Sequence, residues 1–383
     1  NEYRRKPLDI LKESDTDPKP YVPAGMPALD NSGRATSFFE FWPIWLIYVP
    51  VAIQWLFLSI RYRSLSLPLI ANPGIPLSGM VGVSKSAVFD LAGEHARQWI
   101  LPWILIDVDE TPIEEQLTKA RESLVAAGLG YPVVGKPNIG CRGAGVKLLA
   151  NEQELQAYLR GFPAGGCIQF QKLSQWDAEA GVFYVRNPEQ ARGQVTSLAL
   201  KYTPYVVGDG TKRLGELVAD DPRAGELLHL YETRHRTRWH DVIPRGEPYR
   251  LVFSASHSRG AVFRDAEELI DQRLSEALDK IFSDIPGFYY GRLDVKFKNV
   301  ENLSAGLDFN IIEINGASSE SINIWDRNAD LSKAVRTLLQ QYHTLFKLGH
   351  VSRKRGNKPP GLMALYRAWR FENNLVKQYP QND

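Results

Sequence analysis

Two short runs constrain this chain more than any other feature: Gly291-Arg292-Leu293-Asp294-Val295-Lys296 and Phe309-Asn310-Ile311-Ile312-Glu313-Ile314-Asn315-Gly316. Both alternate with the period of a strand, so residues two apart share a face. Arg292, Asp294 and Lys296 then point one way from the first run. Glu313 and Asn315 point one way from the second, with Ile312 and Ile314 on the other side. The turn-like stretch Asn299 to Gly306 lies between them, so the two strands are expected to pair. Pairing gathers two carboxylates, an amide and a guanidinium on one patch. Such oxygens are the hard ligands Mg²⁺ takes, typically one or two carboxylates completed by substrate phosphates. Alone, a D-x-K or E-x-N pattern is more often a solvated acidic face on a half-buried hairpin. The rest of the chain decides between the two.

At 383 residues the chain is long enough for two or three packed lobes. A net charge of +2 gives no global reason to expect nucleic acid or an acidic polymer as partner. Cys141 and Cys167 are the only cysteines, which excludes a disulfide scaffold and a cysteine zinc site and fits a reducing compartment. No apolar h-region opens the chain, so no cleavable signal peptide is expected.

Residues 1–37 are charged and proline-rich and read as an extended polar arm. An aromatic, apolar segment follows within 38–84, and from Phe41 to Ile60 it carries no charge. That run reaches the length of about 20 residues needed to cross a bilayer. Arg61 and Arg63 close it as cytoplasmic flanks do. Pro43 and Pro50 argue against a straight helix, leaving a kinked or re-entrant segment, one lying in the interface, or a hairpin buried under the body. Residues 64–85 read as a strand and loops. Helices are expected from Ala87 to Trp99, Glu114 to Ala127, Glu152 to Leu159 and Glu267 to Phe282, and Tyr249 to Ser256 reads as a strand. The tail, 331–383, is helical and basic, and Leu362 to Phe371 is an aromatic amphipathic stretch suited either to anionic lipid or to packing on the body.

Tyr131 to Pro137 is a strand carrying Lys136, and Asn138-Ile139-Gly140-Cys141-Arg142-Gly143-Ala144-Gly145-Val146 follows it. A glycine-rich turn between two strands lets backbone N–H groups approach phosphate oxygens, with Lys136 adding a point charge. It is neither a Walker A loop nor a dinucleotide fingerprint. His257-Ser258-Arg259 is a polar loop suited to anions or carbonyls.

In this order, the motifs resemble those of the ATP-grasp superfamily, in its D-alanine–D-alanine ligase and cyanophycin-synthetase-like carboxylate–amine ligase branches. The resemblance covers roughly Lys85 to Trp325, with an ATP-grasp domain expected over 85–330. It implies an α+β fold, two lobes clasping ATP, with a truncated and atypical apolar N-terminal region. Lys85 resembles the basic residue that opens the ATP-binding part. Lys136 with Gly140, Gly143 and Gly145 resembles the phosphate-covering hairpin. Gln169 and Gln171 stand where the family lines the adenine, although a glutamate is usual there. Glu179 stands where a glutamate holds the ribose, and Lys201 resembles a lysine reaching the terminal phosphates. The Val207-Gly208-Asp209-Gly210 element is similar to one in the cyanophycin-synthetase branch. Arg292 with Asp294, and Glu313 with Asn315, match the family's R-x-D and E-x-N pair.

The resemblance implies an ADP-forming ligase. Asp294, Glu313 and Asn315 would hold two Mg²⁺, with Mn²⁺ as an alternative, and Arg292 and Lys201 would act on the reacting groups. A substrate carboxylate becomes an acyl phosphate and an amine attacks it; His257, Ser258 and Arg259 are candidates for gripping the carboxylate. The expected setting is the cytoplasmic face of a membrane, with amphiphilic substrates, bilayer contact and no nucleic acid. A homodimer stays open. A kinase that only phosphorylates its substrate, or a nucleotide-binding membrane scaffold, are the alternatives.

Overall fold

The computed structural model describes residues 20–29, 44–140, 143–254, 256–326 and 329–380. The aromatic start Phe38 to Pro43, Cys141, Arg142 and most of the polar arm lie outside these.

The described chain opens with α1 (Ile44–Tyr62), two 3-10 turns (Leu67–Ile70 and Pro76–Gly79), α2 (Ser86–Leu91) and α3 (Glu94–Arg97). A first unit follows: β1 (Trp103–Asp107), α4 (Ile113–Ala126), β2 (Val133–Pro137), β3 (Lys147–Leu149), α5 (Glu152–Gly161) and β4 (Cys167–Lys172). The second runs through β5 (Ala178–Val185), β6 (Gln194–Tyr202), β7 (Tyr205–Val207), α6 (Leu214–Asp220), α7 (Leu228–Arg234), β8 (Pro248–Arg250) and β9 (Val262–Asp265). It closes with α8 (Gln272–Ser283), β10 (Tyr290–Phe297), α9 (Val300–Ser304) and β11 (Phe309–Asn315), before α10 (Leu331–Lys354) and α11 (Leu362–Val376). The fold is mixed α+β with antiparallel sheets. The smaller sheet has the order β1-β4-β2-β3, the larger β11-β10-β5-β6-β9, and β7 with β8 forms a separate ribbon.

Each sheet buries one face. Val133, Leu149, Ile168 and Phe170 of the smaller sheet pack on Leu117 and Leu124 of α4 and Leu155 and Leu159 of α5. In the larger sheet Ala180, Val182, Leu293, Val295, Ile311 and Ile314 meet Leu274, Leu278, Ile281 and Phe282 of α8. Those α8 positions recur at helical spacing, so one stripe supplies the contact. The opposite face of the larger sheet is covered at one end by α10, where Phe183 and Tyr290 join Leu345 and Leu348, and carries polar residues over the rest. The edge strand β11 is tied to the preceding segment by a parallel bridge from Ile100 to Ile311.

Several elements differ from expectation. Residues 64–85 form 3-10 turns and loops without a strand; Pro68, Pro73 and Pro76 lack the N–H a ladder requires. The connection between the two key strands holds the short helix α9, its first turn capped by the Asn299 side chain, which accepts from Asn302 N–H. Among the described residues of Tyr249 to Ser256, strand structure is limited to the end of β8. The expected helix Glu267 to Phe282 is a 3-10 turn, Glu267–Leu269, then α8, because Asp271 takes the N-cap position and accepts from Arg273 N–H. Pro50 lies inside α1 without ending it. That helix is no buried hairpin: Ile47, Val51 and Leu58 are buried, while Trp45, Ile53, Phe57 and Ile60 are exposed.

Candidate functional site

β10 and β11 pair antiparallel, placing Arg292 opposite Asn315 and Asp294 opposite Glu313. After Glu313 the register slips by one residue, so Ile311 faces Val295 and Ile312 is the extra residue of a bulge. The bulge corrects one sequence assignment. Ile311 and Ile314 turn into the core, whereas Ile312 is only half-buried and its carbonyl turns toward the polar cluster.

The four polar side chains form one connected patch. Arg292 holds Asp294 with two hydrogen bonds, Nε to Oδ1 at 2.8 Å and Nη2 to Oδ2 at 3.2 Å. Asn315 donates from Nδ2 to Asp294 Oδ2 at 3.4 Å. Lys85, at the start of α2, pairs with Glu313. Lys136, on the smaller sheet, donates to Gln171 Oε1 at 2.7 Å and to the Ile312 carbonyl at 2.8 Å. Thus Lys85, Lys136, Gln171, Arg292, Asp294, Glu313 and Asn315 converge where the two sheets meet.

The electrostatics follow from burial and these partners. Burial lowers the Lys136 pKa to about 8, against the pull of Glu313. Burial pushes Glu313 up, but Lys85 and then Lys136 outweigh it and hold the carboxyl well below its usual range. Glu313 is therefore ionised at neutral pH. Among the described residues, no group of three or more His, Cys, Asp or Glu could hold a metal ion. A divalent ion here would rely on two carboxylates, the Asn315 amide oxygen and the oxygens of a bound phosphate, which is the mode Mg²⁺ prefers.

A second polar set continues across the same sheet face. Cross-strand pairing aligns Asp294 with Gly181, Lys296 with Glu179 and Glu179 with Lys201. Glu179 is buried and bonded to both lysines, at 2.7 Å to Lys201 and 3.0 Å to Lys296. Burial raises its pKa, yet Lys201 and Lys296 overcome this and keep it below the ordinary carboxylate range. At Gly181 an added Cβ would lie 2.6 Å from Ile322 and 3.3 Å from Arg292, so glycine leaves the space the arginine uses.

Gln169, directly across from Lys136, is fully buried, and neither of its amide atoms has a hydrogen-bond partner among the described residues. An orphaned buried amide costs about 1–3 kcal/mol unless a ligand satisfies it. It offers the donor and acceptor that a base edge requires.

The glycine-rich segment joins β2 to β3 as a hairpin. Gly143 has φ of +71°, and an added Cβ would sit 2.6 Å from an Arg259 guanidinium nitrogen and 2.8 Å from Ser254 Oγ. Gly140 and Gly145 face Tyr379 near the C-terminus, whose hydroxyl donates to the Ile139 carbonyl. Of the loop offered for substrate, Arg259 thus meets the hairpin tip, Ser258 is exposed, and His257 lies in the same 3-10 turn. The hydrogen bonds and ion pairs of Asp294 and Glu313 run instead to Arg292, Asn315 and Lys85. Asp209 caps the turn before α6, accepting from Thr211 and Lys212 N–H.

Sequence reasoning missed three supports. Asn72 is fully buried and fixes the start of β10: its Oδ1 accepts from Tyr289 and Tyr290 N–H at 2.8 and 2.9 Å, and its Nδ2 donates to the Tyr290 carbonyl. Glu320 gives its backbone carbonyl to Arg292 Nη1 at 3.1 Å. Its carboxylate accepts from Tyr48 of α1 at 2.5 Å and from Trp325 Nε1 at 3.0 Å. From the sequence Lys296 shows only that it shares a face with Arg292 and Asp294. No local pattern marks Asn72 or Glu320, because each acts on residues far away in the chain.

No protein-family model matches the chain, and no curated protein matches it. Among solved structures it is similar to a D-alanine–D-alanine ligase from Bacillus anthracis, at 14% identity over 74% of this chain and 72% of that one, with a TM-score of 0.40. It is similar to the VanG D-Ala:D-Ser ligase from Enterococcus faecalis, at 13% identity over 70% and 64%, TM-score 0.38. It is also similar to a bifunctional glutathione synthetase from Pasteurella multocida, at 14% identity and TM-score 0.34. That match covers 67% of this chain and 36% of the synthetase, so the chain spans about a third of that protein's length.

Proposed function

We propose that this chain is an ATP-grasp, ADP-forming ligase that joins a carboxylate to an amine. The observation that carries the reading is the patch where Asp294, Glu313 and Asn315 of the larger sheet meet Lys136 of the smaller one. Two carboxylates and an amide beside the Lys136 ammonium suit a metal-bound polyphosphate better than a structural ion pair. Gln169 would satisfy its amide on the base. Lys136 and the Gly143 hairpin would take the phosphates.

Bound Mg²⁺ would neutralise phosphate charge as it is displaced. Asp294, Glu313 and Asn315 would hold it, which requires Lys85 to yield its place on Glu313. The chain's own residues do the rest. Lys136 and Lys201 orient the phosphates. A substrate carboxylate oxygen bonds to the γ-phosphorus, the bond to the bridging oxygen breaks, and ADP leaves with the electron pair. The amine nitrogen then bonds to the acyl carbon of the acyl phosphate, inorganic phosphate leaves, and the surplus amine proton passes to solvent. Arg292, held against Asp294 and the Glu320 carbonyl, would stabilise the developing oxyanion.

The test is ADP release with pooled carboxylates and amines, followed by product analysis. ADP formation that needs both partners and vanishes in Glu313→Gln supports the reading. ADP formation without any amine, with a phosphorylated product that persists, replaces it with a kinase. Turnover undiminished in Glu313→Gln and in Asp294→Asn removes the metal assignment.

A further inference from the structure

We infer that α1 lies flat in the surface of an anionic lipid bilayer and seats the protein there. The inference is independent of the ligase reading. Helix α1 docks one face on α10: Ile47 and Val51 join Ala334 and Leu338, and Leu58 joins Phe346. Trp55 packs against Tyr342 and Phe346, with ring centroids 5.9 and 5.2 Å apart. The opposite face is an unbroken apolar stripe of Trp45, Val49, Ile53, Leu56, Phe57 and Ile60, each 44–79% exposed. At 1.5 Å per residue the stripe is about 22 Å long.

Length and composition alone would let α1 cross a membrane. Its packing argues otherwise. A spanning α1 would draw α10 into hydrocarbon with it, and α10 carries Arg336, Lys347 and Lys354. Charged residues at that depth cost about 2.5–3.5 kcal/mol each even by insertion scales. A helix with one face on a polar body and one bare apolar face belongs at the interface, sunk about 5–10 Å.

Charge selects lipid as the occupant. The two helices run parallel and their C-terminal ends adjoin, since Arg353 donates to the Tyr62 carbonyl at 2.9 Å and the Tyr62 ring packs on His350. Arg61, Arg63, Lys347, Lys354 and Arg355 are all exposed around that end. A protein interface carries a mixed polar rim around its apolar centre. Here the rim at this end is predominantly basic, with Glu189 near His350 as an exposed acid among five exposed cations, and that excess complements anionic headgroups and would repel the same end of a parallel second copy. A smaller amphipathic face on α11, with Tyr366, Trp369 and Phe371 half-exposed beside Arg367 and Arg370, offers a second contact. Two weak anchors hold where one is marginal.

The experiment is flotation of the full chain with vesicles of phosphatidylcholine, alone or mixed with phosphatidylglycerol. The chain should float with the mixed vesicles. Ile53→Glu with Phe57→Glu should cut partition by more than about a hundredfold, because two apolar side chains leave the lipid. Both sites are exposed, so an unchanged melting midpoint shows that folding is intact. Arg61→Ser with Arg63→Ser should cut binding to the anionic vesicles by about 30-fold and leave neutral ones alone. High salt should weaken attachment without releasing the chain, since screening to about 3 Å removes only the electrostatic part. A full chain that stays at the bottom of the gradient overturns the inference. So does a dimer in detergent-free solution that Ile53→Glu with Phe57→Glu dissociates, which would assign the stripe to a second copy.

Discussion

A buried lysine between two neutral acceptors reports its surroundings through pH. Lys136 has a pKa of about 8 in the folded chain, against 10.5 as its ordinary value. The unfolded chain therefore binds that proton more tightly, and stability contributed by Lys136 rises as pH climbs from about 8 to 10.5. The slope is at most about 1.4 kcal/mol per pH unit. Lys296, also lowered by burial, adds a slope of the same sign, so the informative quantity is the difference from Lys136→Met. Denaturant melts across that window should show the rise in the wild type and a flatter profile in the variant. ATP affinity should move the other way, because phosphate favours the protonated amine: weakening above about pH 8 in the wild type and flat in Lys136→Met, by calorimetry. Glu313→Gln is a harsher change, since it strips Lys85 and Lys136 of their nearest anion. A partner removed from a buried pair costs about 3–5 kcal/mol, discounted here because the Glu313 side chain keeps 25% of its surface in contact with solvent. Its melting temperature should fall along with turnover, and both belong in the same experiment.

At the scale of elements, the glycine-rich hairpin is held from two directions. Arg259 and Ser254 crowd Gly143, and the C-terminal segment grips its base, where Tyr379 stacks on Phe162 at 5.0 Å and binds the Ile139 carbonyl. Gly143→Val should abolish tight ATP binding, since a side chain there meets the guanidinium and requires an unfavourable positive φ. Tyr379→Ala should loosen the hairpin by about 1–2 kcal/mol, the worth of a stacked ring with its hydrogen bond. Amide exchange at Gly143 to Val146 should quicken accordingly, and unchanged exchange would show that the C-terminal grip is idle. This element also shows what a sequence can and cannot convey. The hairpin, the R-x-D and the E-x-N are legible because they are local patterns on alternating strands. The bulge left only one trace, the adjacent apolar pair Ile311-Ile312 ahead of Glu313. Helix α9 resembles a turn in the sequence because it is only five residues long, and Asn299 at its cap is its one local mark. Tyr379 carried no signal at all, for its contact spans 240 residues, and the same distance hid Asn72 and Glu320.

Across the whole molecule, α1 belongs to the site as much as to the surface. Its outer face is bare, and its inner face sends Tyr48 to Glu320, whose backbone holds Arg292. Glu320 lies between β11 and the 3-10 turn Ile322–Trp325, and Ser321 beside it is locked to Ser197 of β6 and Gln341 of α10. The position of α1 is thereby passed to a residue that contacts Asp294. Tyr48→Phe removes a single hydroxyl and leaves the apolar stripe untouched, so vesicle flotation should persist. Arg292 should become less well placed, while Trp325 still steadies Glu320, so turnover should fall only severalfold. ATP affinity should change little, because the hydrogen bonds of Tyr48 and Glu320 run to Arg292 and Trp325 and not to Gln169, Lys136 or the hairpin. Leu58→Ala tests the other half of the connection. It opens a cavity between α1 and α10 and should cost about 2–5 kcal/mol, yet in the molecules that remain folded Tyr48 keeps its partner and turnover per folded chain should hold. Equal kcat in Tyr48→Phe and wild type would show that α1 is only an anchor. A drop confined to Tyr48→Phe, with flotation and ATP affinity intact, would make it part of the catalytic frame.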